Sequence, residues 1–148
     1  MPWPRASRAH RWGVALSAQT AYSRAVARIL VIDDDPDIRD AVTEVLSFEG
    51  FEVFGAAEGE QGLVRCRQVR PDLILLDLMM PGMNGWDFLR ALRREEQIAR
   101  TPVVVVSALG RVPELQVAGF LPKPFGLDAL VALVRSATHR AGAGASHP

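Results

Sequence analysis

The chain has 148 residues, 49% of them apolar and 23% charged, which suits one domain with a real core and excludes disorder throughout. Its 17 basic and 17 acidic side chains balance, but residues 1–28 hold five arginines and no acid. The remainder is therefore acidic, which argues against nucleic acid as its main partner.

No apolar run approaches the roughly 20 residues of a membrane span, so no membrane partner is expected. The single cysteine, Cys66, cannot form an internal disulfide and fits the reducing cytoplasm. Its place three residues after Leu63 on a helical stripe makes it core filler rather than a reactive thiol. Sixteen of the seventeen basic residues are arginine, and the one lysine, Lys123, stands between Pro122 and Pro124. That isolation marks a position where a compact point charge is needed.

Residues 1–27 show no sustained helical or alternating pattern. They read as a disordered extension, or as the product of a translation start placed too far upstream, with Val14 or Val26 as the true start. From residue 28 strands and helices alternate. Strand one is predicted at about 28–33. Asp35 then caps a helix with Pro36 at its first position and Ile38, Ala41, Val42, Val45 and Leu46 on its inner face, closed by Gly50. Phe51–Phe54 is a short second strand and residues 58–69 a helix loosened by two glycines. Strand three spans 72–77, followed by the loop Met80-Pro81-Gly82-Met83-Asn84-Gly85 and a helix over 85–96.

Val103–Val106 is a fourth strand that runs into Ser107, and Phe120-Leu121 a short fifth. Between Ser107 and Lys123 there is room for only a short helix, at 113–118. Leu127, Leu130, Val131 and Val134 stripe a last helix, and residues 140–148 read as a flexible tail. The apolar runs are those of strands buried on both faces of a parallel sheet with right-handed crossovers. The predicted fold is α/β and doubly wound, with five parallel strands in the order 2-1-3-4-5 and a shortened fourth helix.

In that order the carboxyl ends of strands one and three form a topological switch point, where α/β folds bind ligands. Asp33, Asp34 and Asp77 would meet there, with Ser107 and Lys123 beside them. Three converging acids repel unless a cation joins them. Hard oxygen ligands that leave room for phosphate and water suit Mg²⁺. An acid as nucleophile, a hydroxyl and an ammonium suit phosphoryl transfer onto a carboxylate. Asp35 reads as a helix cap rather than a ligand.

Four segments, ILVIDDDP at 29–36, LILLDLMMPGMNG at 73–85, VVVVSA at 103–108 and FLPKPF at 120–125, resemble the receiver domains of bacterial two-component response regulators. The resemblance covers about residues 28–139 and implies a flavodoxin-like fold. It implies that Asp77 is the phosphoacceptor and that Asp33, Asp34, Asp77 and the Met79 backbone carbonyl hold Mg²⁺. Ser107 becomes the switch hydroxyl, Phe120 the switch aromatic and Lys123 the phosphoryl-binding cation, with a cis peptide bond before Pro124. The phosphoryl donor it implies is a histidine kinase or phosphotransfer protein.

Two departures from the family stand out. The short 108–119 stretch removes much of the face that receivers use to dimerise or to contact output partners, so a different or reshaped surface is expected. Met79 and Leu109 place apolar groups where polar ones could position an attacking water, so slow self-dephosphorylation is expected.

The expected protein is a stand-alone response regulator, a phosphoacceptor rather than an enzyme. It would signal through an unidentified protein target, as a monomer or a weak phosphorylation-dependent dimer. Two rival readings stand beside it. One is a phosphorylation-independent interaction module on a receiver scaffold. The other is a haloacid-dehalogenase-type phosphatase built on Asp33-x-Asp35, which lacks the further acidic pair after the lysine and leaves Asp77 unexplained.

Overall fold

The computed structural model describes residues 26–109 and 111–145, so most of the N-terminal extension and the last three residues lie outside the described part. Five parallel strands form one sheet: β1 (Arg28–Ile32), β2 (Glu52–Ala56), β3 (Leu73–Leu76), β4 (Val103–Ser107) and β5 (Gly119–Pro122), in the order 2-1-3-4-5. Four helices connect or follow them: α1 (Pro36–Phe48), α2 (Gly59–Val69), α3 (Gly85–Arg94) and α4 (Leu127–Ala145). This is the predicted flavodoxin-like architecture.

Strand periodicity divides the core into two layers. Leu30, Ile32, Ile74, Leu76, Val103 and Val105 face α2 and α3, where they meet Leu63, Cys66, Phe88 and Leu92. Ile29, Val31, Leu73, Leu75, Val104 and Val106 face α1 and α4, where they meet Val42, Leu46, Leu130 and Val134. Each such side chain contributes about 1.5–3 kcal/mol by leaving water. The central strands β1, β3 and β4 are buried almost throughout, as continuous apolar runs require.

Local chemistry sets the ends of the helices. The Asp35 carboxylate accepts the amide of Asp37 and Pro36 occupies the first helical position, so Asp35 is a cap, as predicted. Asn84 caps α3 through the amide of Asp87. Gly50, at φ +98°, lets the chain reverse after α1 into β2.

The fourth crossover differs from the reading of 113–118 as a helix. Among the described residues between β4 and β5 there is no helix, only a turn in which the Leu115 amide donates to the Val112 carbonyl. A parallel crossover ordinarily takes a dozen or more residues when it carries a helix. Here the chain must return along the whole sheet in fewer. It runs irregularly instead and sets Val112, Leu115 and Val117 against the core where a helix would have packed.

The last helix departs the other way and continues to Ala145, past the point where a flexible tail was expected.

Phe88 is fully buried between α3 and the sheet, next to Gly62, where an added Cβ would press on its ring. Phe88→Ala is expected to lose about 3–5 kcal/mol of stability, measured as a lower urea midpoint at unchanged slope.

Candidate phosphoryl-acceptor and metal site

Register brings the site together. Ile32 pairs with Leu76 across β1 and β3, so the next residues, Asp33 and Asp77, leave the sheet side by side. Leu76 also pairs with Val105, and Ser107 pairs with Pro122, which sets Ser107 and Lys123 at the same edge. The Asp77 amide donates to the Ile32 carbonyl and the Lys123 amide to the Ser107 carbonyl, so these residues are anchored by backbone to their neighbours. The strand-end placement that the sequence implied is the one observed.

Asp33, Asp34 and Asp77 each offer a carboxylate oxygen, and the three oxygens lie within 4.8 Å of one another. Asp33 and Asp77 are buried, at 3% and 5% exposure, whereas Asp34 opens to solvent. Lys123 bridges the two buried acids, with its Nζ 2.8 Å from Asp33 Oδ2 and 3.4 Å from Asp77 Oδ2. Their other oxygens take backbone donors: Asp33 Oδ1 accepts the Asp35 amide at 2.9 Å and Asp77 Oδ1 the Met79 amide at 3.1 Å. Three carboxylates against one ammonium leave two negative charges, the complement of one divalent cation. Hard oxygen donors of this kind fit Mg²⁺.

The charges tune one another. Burial pushes the Asp77 carboxyl above its ordinary range, and the neighbouring Asp33 charge adds to this against the opposing Met79 amide and Lys123. For Lys123 burial works downward. The hydrogen bond and charge of Asp33, with those of Asp77, outweigh it and hold the ammonium above its ordinary value. The lysine is therefore charged across the physiological range.

Ser107 is fully buried and its Oγ accepts the Leu109 amide at 3.1 Å. Phe120 lies half-buried on β5, on the layer that holds α3, and the Arg111 guanidinium covers its ring 5.6 Å from the centroid. The Lys123–Pro124 peptide bond is cis. Met79 and Leu109 expose their apolar side chains at 56% and 53% beside the site.

Three supporting residues escaped the sequence reading. Arg39 reaches from α1 and donates to the Asp33 carbonyl at 2.8 Å. Gly85 lies so close to the Asp77–Leu78 backbone that a Cβ there would sit 2.6 Å from Leu78 Cα. The third, Arg111, carries no sequence signal, since its contact with Phe120 depends on the path of the irregular crossover.

A doubly wound sheet whose switch point gathers acids, a hydroxyl and a lysine is laid out to hold a divalent cation at the carboxyl ends of its strands. The model of the response regulator receiver domain matches residues 29–135, and the chain belongs to that family. Receivers of two-component systems bind Mg²⁺ at an acidic pocket, carry an aspartyl phosphate and take their phosphoryl group from histidine kinases.

The chain is 40% identical to the DNA-binding dual master transcriptional regulator RpaA of Synechocystis, over 76% of this chain and 49% of that protein. It is 42% identical to the transcriptional regulatory protein CpxR of Escherichia coli, over 76% of this chain and 50% of CpxR. The chain thus spans about half the length of these curated relatives. Among solved structures, the chemotaxis response regulator CheY4 of Vibrio cholerae superposes with a TM-score of 0.70 at 31% identity, over 76% of this chain and 98% of that one. Because relatives are DNA-binding regulators, the expectation that nucleic acid is no partner finds no support among them.

Ionising Asp77 in a desolvated site beside Asp33 destabilises the metal-free fold. Its raised pKa means that the folded state holds the proton more tightly, so stability is lost as pH rises through that range. Asp77→Asn removes this loss. In a chelator at pH 7 its thermal midpoint should exceed that of the parent protein, and the gain should shrink as pH falls from the raised Asp77 pKa toward the ordinary carboxylate value near about 4.

Proposed function

We propose that Asp77 is the phosphoacceptor of a receiver domain spanning residues 28–139, and that Asp33, Asp34, Asp77 and the Met79 carbonyl hold Mg²⁺ beside it. The observation that carries this reading is the Lys123 ammonium bridging Asp33 and Asp77. A plain metal site has no use for a competing cation. A phosphoryl-accepting site needs one to meet the oxygens that arrive on the acceptor.

An Asp77 carboxylate oxygen attacks phosphorus, the bond from phosphorus to the donor's imidazole nitrogen breaks, and that electron pair leaves with the imidazole. Mg²⁺, when bound, neutralises the incoming charge and orients the phosphoryl oxygens. Lys123 passes from pairing the acids to pairing a phosphoryl oxygen. The Ser107 hydroxyl donates to another, and Phe120 follows it inward, so that phosphorylation shifts a two-state equilibrium. Arg111 must yield or follow, because it lies over the Phe120 ring.

Output passes from this cytoplasmic receiver through protein contacts, and the irregular 108–118 crossover makes the contact surface unlike one built on a helix. We read this receiver as a monomer that forms at most a weak phosphorylation-dependent dimer.

With Mg²⁺ and a small acyl-phosphate donor, the protein should gain one phosphoryl group by mass, mapped to Asp77, and Asp77→Asn should gain none. Label on Asp33, or turnover of phosphate esters, would favour a phosphatase. Full target binding by unphosphorylated Asp77→Asn would favour a phosphorylation-independent module.

The apolar Met79 and Leu109 side chains leave no polar group at these positions to align an attacking water, so the phosphoryl group should be long-lived. Met79→Asn, which places a hydrogen-bonding amide there to orient water, is expected to shorten the lifetime severalfold. An unchanged decay rate would remove this account.

A further inference from the structure

The least covered apolar side chain of the described fold belongs to none of the site. Phe48, at the end of α1, is 88% exposed, and Leu127, at the start of α4, is 47% exposed. The two line one groove of about 420 Å³ between α1 and α4, floored by Val45 and Val131 and rimmed by Glu44, Glu49 and Asp128. Glu49 is shared with a second groove of about 530 Å³ that reaches Phe51 and Ala27. Ala27 is where the chain enters β1, its carbonyl held by the Glu52 amide. Sharing Glu49, the two depressions mark out a track from the point where residues 1–25 join the domain, with Arg135 and His139 at its near end and the acids at its far end.

The sequence of those residues complements the acid-rimmed far end of the track. They hold Arg5, Arg8, Arg11 and Arg24 with no acid, and Trp3, Trp12, Leu16 and Tyr22 supply large apolar groups. On the groove, Glu49 pairs with Arg135, while Glu44 and Asp128 form no ion pair among the described residues. Even a chain with no structure of its own spans about 25–30 Å over such a length, enough to follow the track. Tethering also raises the local concentration of an otherwise weak ligand to the millimolar range. A second copy of the same face would bring acid against acid, which disfavours a symmetric dimer here.

We propose that the Arg- and Trp-bearing residues 1–25 of this chain dock into the acid-rimmed α1/α4 groove and cover Phe48. The consequence is a receiver whose α1/α4 face is masked by its own extension and is opened by salt or by a competing basic, aromatic-bearing peptide.

The test uses the full chain with Ala6→Cys carrying a nitroxide. Cys66 is fully buried and its thiol is pushed up to about 12, so the label goes to the new position. Amide signals of Val45, Phe48, Leu127 and Val131 should lose intensity while those of Val64 on α2 and Arg90 on α3 keep theirs. The loss should be relieved by Glu44→Lys combined with Asp128→Lys, both on exposed positions that leave the core untouched. Uniform broadening or none overturns the proposal. So does broadening that appears only between labelled and isotope-enriched molecules, since the groove would then hold a second copy. A native chain that begins after residue 25 overturns it as well.

Discussion

The structure depends on an unfavourable contact between like charges that is held in place from three sides. Asp33 and Asp77 leave adjacent parallel strands at the same level, so the hydrogen bonding that builds the sheet also drives two carboxylates together in a desolvated corner. Such proximity raises the free energy of the ionised state. Backbone amides of Asp35 and Met79 take one oxygen of each acid, and Lys123, delivered by the edge strand β5, takes the others. With Asp34 beside them, two negative charges remain uncompensated. That excess of charge suits the corner to a divalent cation.

The surrounding fold keeps this corner rigid on one side and adjustable on the other. β1 and β3 lie in the middle of the sheet with helices on both faces, so Asp33 and Asp77 rest on buried strands. Ser107, Phe120 and Lys123 come from β4 and β5, toward the edge. There the crossover has no helix and Phe120 is only half-buried beneath Arg111. Movement costs least where the fewest apolar contacts must break.

The elements were legible because their signals are local. Unbroken apolar runs marked the three inner strands, Asp35-Pro36 marked the start of α1, and alternation of strand and helix implied a doubly wound sheet. The same runs, ending in acids, marked the site before any geometry was known. The failures are equally physical. Pro113 and Gly119 bracket a plausible short helix, yet the crossover must cover the height of the sheet in too few residues for one to form. The apolar stripe of the last helix stops near Val134, but the helix continues to Ala145 through Gly142 and Gly144, a continuation that the local Ala/Gly composition does not signal.

By itself the sequence determined which side chains end which strands, and therefore the chemical inventory of the site, because a strand's side-chain period and its terminal residue are properties of a few consecutive residues. Only the tertiary structure decided how that inventory is wired. The pairing of Lys123 with Asp33 and Asp77, the support of Asp33 by Arg39, the cover of Arg111 over Phe120 and the open groove beside Phe48 all join residues from different elements. Such contacts depend on register, crossover length and helix packing across the whole sheet, and no local pattern in the chain encodes them.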